Sequence, residues 1–231
     1  MTPNPSIISL RRWGHPNETA FTDAVFAFDS ETLPRDLSSA SIILRTDGLA
    51  RARMLLQAGA KQVLIGEAAL LDSTLIATLA SEFGKDRVGV WVPAQRIARN
   101  WTLDNHACNA DFCCITPSGG APAWEILRSD GSGSGTDVQW WTAQMVERGA
   151  ATVLVAADMH DDDDLNICAG MAECLGGAFW MTSLKSPTIE MEDWVRYGQA
   201  RNMAVRELHH DDPVAMRMLR HELQDAIEAL A

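Results

Sequence analysis

A short pattern recurs along this chain: an amphipathic helix, a glycine and then a brief apolar strand. It occurs at 55–66 (LLQAGAKQVLIG), 145–156 (MVERGAATVLVA), 174–183 (CLGGAFWMTS) and 195–205 (VRYGQARNMAV). Gly59, Gly149, Gly176 and Gly198 fall where a helix ends, a place that favours left-handed backbone and therefore glycine. Each following strand is a continuous apolar run, as in parallel sheets buried on both faces. The pattern predicts repeated βα units, in which ligands bind at the C-terminal ends of the strands.

The alternation predicts a (β/α)8 TIM-type barrel formed as one domain by residues 1–231. We expect strands at about 5–10, 24–29, 41–45, 62–66, 87–92, 152–157, 178–183 and 202–206. We expect helices at about 17–23, 48–58, 72–83, 137–148, 163–175, 188–198 and 212–230. Only Ser30–Ala40 separates the second strand from the third, so the second βα unit is expected to be abbreviated.

Residues 94–135 interrupt this rhythm after the fifth strand and are predicted to form a hairpin and loop over the strand C-terminal ends. The end of this insertion, SDGSGSGTD, is predicted to be a flexible loop. Its His106, Cys108, Cys113 and Cys114 do not have the spacing of common zinc sites. Trp101 and Trp124 flank the insertion as candidate exposed anchors for a protein partner. Partner binding or self-association is expected through this insertion or through the last helix, whose apolar stripe otherwise packs on the barrel.

Composition excludes several classes of function. The net charge of −12 disfavours nucleic acid and anionic membrane surfaces, because both require a basic footprint. No apolar run reaches the ~20 residues that span a bilayer. The N-terminal sequence lacks the pattern of a signal peptide, and five cysteines without framework spacing are typical of reduced thiols. We therefore expect a cytoplasmic location, with no metal and no cofactor.

The order of motifs resembles the histidine-biosynthesis barrel family, which comprises the ProFAR isomerase and the cyclase subunit of imidazole glycerol phosphate synthase. The resemblance rests on three segments that together cover most of residues 40–165. They are LLQAGAKQVLIGEAALLDSTLIATLASEFGKDRVGVWV at 55–92, SGTDVQWWTAQMVERGAATVLVA at 134–156 and the run DMHDDDD after strand 6. The resemblance implies catalytic carboxylates at the ends of strands 1 and 5. It also implies glycine-rich phosphate sites after strand 3 and after strands 7 and 8.

The sequence departs from that pattern at each of these places. Strand 1 ends with Arg11 and Arg12, and strand 5 has Pro93 where the family has an aspartate, so that pair of acids cannot catalyse proton transfer. IILRTDG follows strand 3, and Arg45 stands where glycines would let backbone N–H groups approach a phosphate. Strand 7 ends WMTSLKS without the expected glycines. The bis-phosphorylated histidine intermediates are therefore poor candidates for the substrate.

Polar side chains nevertheless follow most of the strands. The candidate catalytic residues are Asp29, Asp158, His160 and Asp161, and the candidate ligand-binding residues are Arg12, Arg45, Asp47, Glu67, Lys185 and Arg206. Two interpretations remain open: a site for a small polar ligand, or an ion-pair network that fills the barrel mouth. The acidic cluster from Asp158 to Asp164 has three possible interpretations. It is a proton shuttle through His160, an oxygen-rich metal site, or a set of carboxylates that stabilise a helix N-terminus.

Two functional hypotheses follow. The first is a divergent barrel that binds or acts on a small polar metabolite in the biosynthesis of a cofactor or one-carbon carrier, with isomerase- or lyase-type chemistry if it is an enzyme. The second is a non-catalytic barrel that serves as a partner-binding or structural subunit. An open polar pocket of a few hundred Å3 at the mouth would favour the first. A mouth filled by Arg–Asp pairs beside an exposed apolar patch would favour the second.

Overall fold

A computed structural model describes residues 8–15, 18–21, 23–97, 122–185, 191–205 and 213–228, with side chains of the last range described only at 218–225. The strands in this part of the chain are β1 (Ser9–Trp13), β2 (Val25–Phe28), β3 (Ala40–Leu44), β4 (Gln62–Ile65), β5 (Val88–Arg96), β6 (Trp124–Leu127), β7 (Gly133–Asp137), β8 (Thr152–Ala156), β9 (Phe179–Thr182) and β10 (Asn202–Val205). Eight of them are parallel neighbours in the order β4-β3-β2-β1-β10-β9-β8-β5, and pairing of β4 with β5 closes the ring. The predicted (β/α)8 barrel is confirmed.

Helices surround this ring. They are α1 (Leu49–Gln57), α2 (Glu67–Leu71), α3 (Thr74–Phe83), α4 (Val138–Glu147), α5 (Asp162–Leu175), α6 (Met191–Arg196) and α7 (Pro213–Glu228). An aspartate before each of two helices accepts a backbone amide of the first turn. The Asp137 carboxylate accepts the Trp140 amide at 2.7 Å, and Asp72 accepts the Thr74 amide at 3.0 Å. No helix of the described residues is long and apolar enough to cross a membrane.

The first two βα units differ from the others. The strand expected at 5–10 lies at Ser9–Trp13, and residues 18–21 and 23 are not helical, so the helix expected at 17–23 is wrong there. Glu18 explains this loop, because its carboxylate accepts the His15 amide and both terminal nitrogens of the Arg12 guanidinium. Residues 29–39 also contain no helix, as expected for an abbreviated second unit.

Three of the four recurring glycines have the predicted left-handed backbone: Gly59, Gly149 and Gly176 have φ of 98°, 112° and 54°. Gly198 does not, because Gln199 takes the positive φ, at 54°. Gly198 is instead a position of close approach, where an added Cβ would lie 2.8 Å from the Trp194 carbonyl oxygen.

The barrel interior is filled in layers by alternate residues of the strands. The main interior cluster is apolar and contains Trp13, Phe26, Ile43, Leu64, Trp91, Leu154, Ala156, Trp180 and Ala204. Nearer the strand N-terminal ends the interior is polar: Gln62 donates to Thr152 at 2.9 Å, and Ser41 donates to Gln62 at 3.4 Å. The intervening strand residues point outwards and form the larger core beneath the helices.

An antiparallel hairpin extends this barrel on one side. β5 continues beyond the ring to Arg96, β6 pairs with that extension, and β7 pairs with β6. The sequence 133–137, predicted to be a flexible loop, is thus a strand. Residues 98–121, with Trp101, His106, Cys108, Cys113 and Cys114, lie outside the described residues.

The structure places side chains of two predicted partner surfaces against the core. Trp124 is 1% exposed and packs edge-on against Trp194 at 5.9 Å, so its role as an exposed anchor is wrong. On α7, Leu223 is buried and Leu219 packs on the core, whereas Met218 is 59% exposed. Leu219 and Leu223 of that stripe therefore face the barrel, and Met218 does not.

Candidate functional site

A cavity of about 270 Å3 lies at the C-terminal ends of the strands. We call it the mouth cavity. It is lined by Phe28, Arg45, Glu67, Trp91, Pro93, Gln95, Leu127, Arg128, Ser129, Gly131, Leu184 and Lys185. These residues follow or end β2, β3, β4, β5 and β9, and the hairpin of β6 and β7 supplies one wall.

Aromatic rings form the floor of the mouth cavity. Phe28 stacks on Trp13 with ring centroids 5.1 Å apart and planes 23° apart. Trp91 lies nearly perpendicular to both, 5.5 Å from Phe28 and 5.9 Å from Trp13. Such stacked and edge-to-face pairs fix ring positions, so the floor is rigid before any ligand arrives.

In the described part of the chain, the rim of the mouth cavity carries the cations Arg45, Arg128 and Lys185. The Arg45 guanidinium lies 4.0 Å from the centroid of Phe28, a cation–π contact. The Arg128 guanidinium donates to the Gly133 carbonyl at 3.0 Å. Within the described residues, no carboxylate forms an ion pair with Arg45, Arg128 or Lys185.

Glu67 is the carboxylate among the lining residues. One of its oxygens accepts the backbone N–H of Ser129 at 3.1 Å and so joins the start of α2 to the hairpin tip. On the other side of the hairpin, Glu125 accepts from Gln95 and from the Gly135 amide, both at 3.0 Å. These two carboxylates hold the wall that carries Arg128.

Arg96 joins the hairpin to the N-terminus of α5. Its guanidinium donates two hydrogen bonds to Asp161, at 2.5 and 2.6 Å, and contacts both oxygens of Asp164, at 3.1 and 2.6 Å. Asp164 is fully buried and also accepts from the Trp124 indole and the His160 amide, both at 2.8 Å. We call Arg96, Asp161, Asp164 and Trp124 the clasp.

Hydrogen bonds within the clasp shift the pKa values of Asp161 and Arg96. Hydrogen bonds from Arg96 lower the pKa of Asp161 to about 2. Hydrogen bonds to Asp161 chiefly raise the pKa of Arg96 above its ordinary value. The Asp161 carboxylate is therefore ionised at neutral pH and bound to Arg96. Within the described residues, no three His, Cys, Asp or Glu side chains converge in a metal-binding arrangement.

Three of the residues proposed from the sequence line the mouth cavity: Arg45, Glu67 and Lys185. Asp158 lies beside it and shapes its edge, because one carboxylate oxygen accepts the amides of Leu184 and Lys185 at 3.0 and 2.9 Å. Arg206 lies outside the described residues.

The other proposed residues do not line the mouth cavity. Asp29 accepts two hydrogen bonds of 2.7 Å from Arg51 on α1. Arg12 is bound to Glu18 in the same bidentate manner. Asp47 and His160 are exposed, and Asp161 belongs to the clasp.

Sequence reasoning missed the aromatic floor and Arg128. Phe28 and Trp91 carry a usable signal, because each lies two residues from another interior residue of its strand and therefore points inwards. Arg128 has no comparable signal in the sequence. It follows β6, and the strand that pairs with β6 has the composition of a loop.

Another arginine, Arg11, lies inside the barrel, towards the N-terminal ends of the strands. The Arg11 guanidinium is 4.2 Å from the Trp180 ring centroid, 5.1 Å from that of Phe26, and donates to Ser41 at 3.4 Å. Burial lowers its pKa. Among the described residues no carboxylate pairs with it.

Another cavity, of about 250 Å3, lies outside the barrel between the hairpin, α4 and α5. Its charged lining residues are Asp137 and Asp163. Asp137 caps α4, and burial raises the pKa of its carboxyl group. This cavity therefore has the opposite charge character to the mouth cavity.

Comparison with known proteins gives a distant similarity. No protein-family model matches the chain. Imidazole glycerol phosphate synthase subunit HisF of Nostoc sp. is 24% identical over 189 residues, which cover 74% of this chain and 66% of that protein. The chain thus spans just under two thirds of the length of this curated relative. This similarity and the closed ring of eight parallel strands support a barrel like those of histidine biosynthesis.

Proposed function

We propose that this barrel binds a small anionic metabolite in the mouth cavity. The observation that carries the proposal is the charge of the lining: among the described residues, the cations Arg45, Arg128 and Lys185 face the carboxylate of Glu67. This excess is opposite in sign to the net charge of −12 on the chain. A concave site of one sign attracts and concentrates ligands of the other.

Arg45 is suited to hold an anion because it is already positioned. Its contact with the Phe28 ring restricts the guanidinium, and no described carboxylate competes for it. A planar guanidinium offers two parallel donors that match a carboxylate or phosphate. A donor that is fixed in advance loses less conformational entropy on binding.

The lining also limits the chemistry. Of the lining residues that the structure describes, Glu67 and Lys185 carry the side chains able to gain or lose a proton, so acid–base chemistry on the ligand would use them. We place Asp29, Asp158 and Asp161 around the site as supports, because each is bound to backbone amides or to an arginine.

The relative's printed name describes an imidazole glycerol phosphate synthase subunit. We propose a different ligand for this chain. Where resemblance to that family implies acids, β1 ends at Trp13 and β5 has Pro93. The cavity at the mouth is also small. We assign the ligand to a biosynthetic pathway other than that of histidine, such as that of a cofactor or one-carbon carrier.

Isothermal titration calorimetry with matched aromatic probes tests the proposal. Benzoate should bind, whereas benzylamine, of similar shape and opposite charge, and uncharged benzyl alcohol should not. Arg45→Met should weaken benzoate binding about 10- to 150-fold, since a hydrogen bond to a charged group contributes about 1.5–3 kcal/mol. Arg148→Met is the matched control: Arg148 ends α4 just before β8 begins, at the other end of the barrel, and should leave affinity unchanged.

Two results would overturn the proposal. One is equal binding of benzylamine and benzoate, which would remove the role of charge. The other is equal weakening by Arg45→Met and Arg148→Met, which would place the anion elsewhere on the surface.

A further inference from the structure

We infer that the ligand of the mouth cavity is a small ring carboxylate or ring phosphate ester that enters ring first. This inference rests on the proposed function and adds the chemical class of the anion and its orientation. Three observations lead to it: the change of polarity with depth, the position of Arg45 and the volume of the cavity.

Polarity changes with depth in the mouth cavity. Trp91 and Leu127 are 6% and 7% exposed and form its deep part with the half-buried Phe28, Pro93 and Leu184. Arg45, Arg128 and Lys185 are exposed and lie at the rim. A ligand that satisfies both parts needs an apolar body and a charged end. A bare anion would leave the aromatic floor uncovered.

The position of Arg45 fixes the distance between the apolar body of the ligand and its charged end. Its guanidinium lies over Phe28, so an anion bound to Arg45 lies directly beside the aromatic floor. The charged group must therefore be attached to the ring itself or one atom away from it. A long chain between ring and anion would carry the anion past the rim.

The volume sets the size of the ligand. About 270 Å3 corresponds to about nine water molecules at liquid density. A six-membered ring with one carboxylate has about as many non-hydrogen atoms, whereas a nucleotide or a bis-phosphorylated sugar conjugate has several times more. A monocyclic acid therefore matches the volume of the cavity, whereas a larger ligand would extend beyond it into solvent.

The test compares anions that differ only in the ring. Benzoate should bind at least tenfold more tightly than acetate, and phenyl phosphate more tightly than inorganic phosphate. The stronger of the two ring ligands identifies the anion as carboxylate or phosphate. Cyclohexanecarboxylate, which has the same charge and a puckered ring, should bind about 2- to 12-fold more weakly than benzoate.

Variants of the floor locate the ring. Trp91→Leu should reduce the preference for benzoate over acetate about tenfold. Because Trp91 is nearly buried and its replacement can impair folding, Phe28→Leu, at a half-exposed ring, is the second variant and should reduce the same preference. Trp140→Leu is the control, since Trp140 lies on α4 and is 45% exposed outside the cavity.

The outcomes separate the two proposals. If acetate, cyclohexanecarboxylate and benzoate bind equally and all depend on Arg45, the ring-first inference is wrong and the anion site stands. If none of these anions binds, the proposed function itself fails. If Trp140→Leu lowers the preference as much as Trp91→Leu does, the ring lies elsewhere and the inference is overturned.

Discussion

Asp164 lies at the centre of the clasp that holds the hairpin to the barrel, and Asp164→Asn tests how strongly the clasp stabilises the fold. The carboxylate is fully buried and accepts from Arg96, from the Trp124 indole and from the His160 amide. Asparagine has the same shape but only one acceptor oxygen. In either orientation its NH2 group would face the guanidinium and a second donor, which is the Trp124 indole or the His160 amide.

The expected loss follows from this geometry. Removing one partner of a buried ion pair lowers the free energy of unfolding by about 3–5 kcal/mol. Asp161 would still hold Arg96 through two hydrogen bonds, so the guanidinium is not left without a counter-ion. We therefore expect the lower end, about 3 kcal/mol. For a chain of this length that corresponds to a Tm lowered by about 6–12 °C.

Urea unfolding followed by circular dichroism measures the loss, and Asp163→Asn is the matched control. Asp163 occupies the same first turn of α5, is 42% exposed and lies 3.9 Å from Arg96. Both substitutions remove one negative charge from the helix N-terminus, so the difference between them excludes the interaction with the helix dipole. We expect Asp163→Asn to lower the free energy of unfolding by less than about 1 kcal/mol.

A double-mutant cycle with Arg96→Met completes the test. If the clasp is one unit, Asp164→Asn should have a much smaller effect in the Arg96→Met background than in the wild type. Equal losses in the two backgrounds, or equal losses for the substitutions at Asp163 and Asp164, would refute the reasoning.

Three further predictions concern single residues. The pKa of Asp161 lies at about 2, below its ordinary 3.8, so its contribution to stability is present above about pH 4 and is lost as the pH falls towards 2. Asp161→Asn should therefore flatten the loss of unfolding free energy between about pH 5 and pH 2, and an unchanged slope would contradict this. Arg11→Met should raise the free energy of unfolding by about 1 kcal/mol, because it removes a partly buried charge that has no described carboxylate partner. Arg12→Met should instead lower the free energy of unfolding, because it leaves Glu18 without its guanidinium partner. Chemical denaturation measures both changes. Gly198→Ala should lower the free energy of unfolding by about 1–3 kcal/mol through its close approach to Trp194, and Gly177→Ala, with open space around it, should not.

The sequence predicts the barrel well because most of its strands have both faces buried. Thr152–Ala156 is a continuous apolar run after a glycine and appears as β8 with all five residues buried. β1 lacks that signal, since Arg11 and Arg12 stand within it, and its position is therefore predicted too early. β7 lacks it altogether: Gly133–Asp137 has no strand-forming composition. It is a strand because it pairs with β6.

The site is harder to predict than the barrel because charged residues choose partners that are distant in sequence. Asp29 and Arg51 are 22 positions apart, and Arg96 and Asp161 are 65 apart. In the sequence these carboxylates look available to a ligand, but each is bound to a guanidinium by two short hydrogen bonds. That pairing has a consequence for charge. The acidic chain uses arginines to bind its own carboxylates around the mouth, while Arg45 and Lys185 keep no described carboxylate partner at the cavity itself. The local charge at a barrel mouth therefore depends on which charged side chains have no ion-pair partner there. In the described part of this chain those side chains are cations, and they favour an anionic ligand.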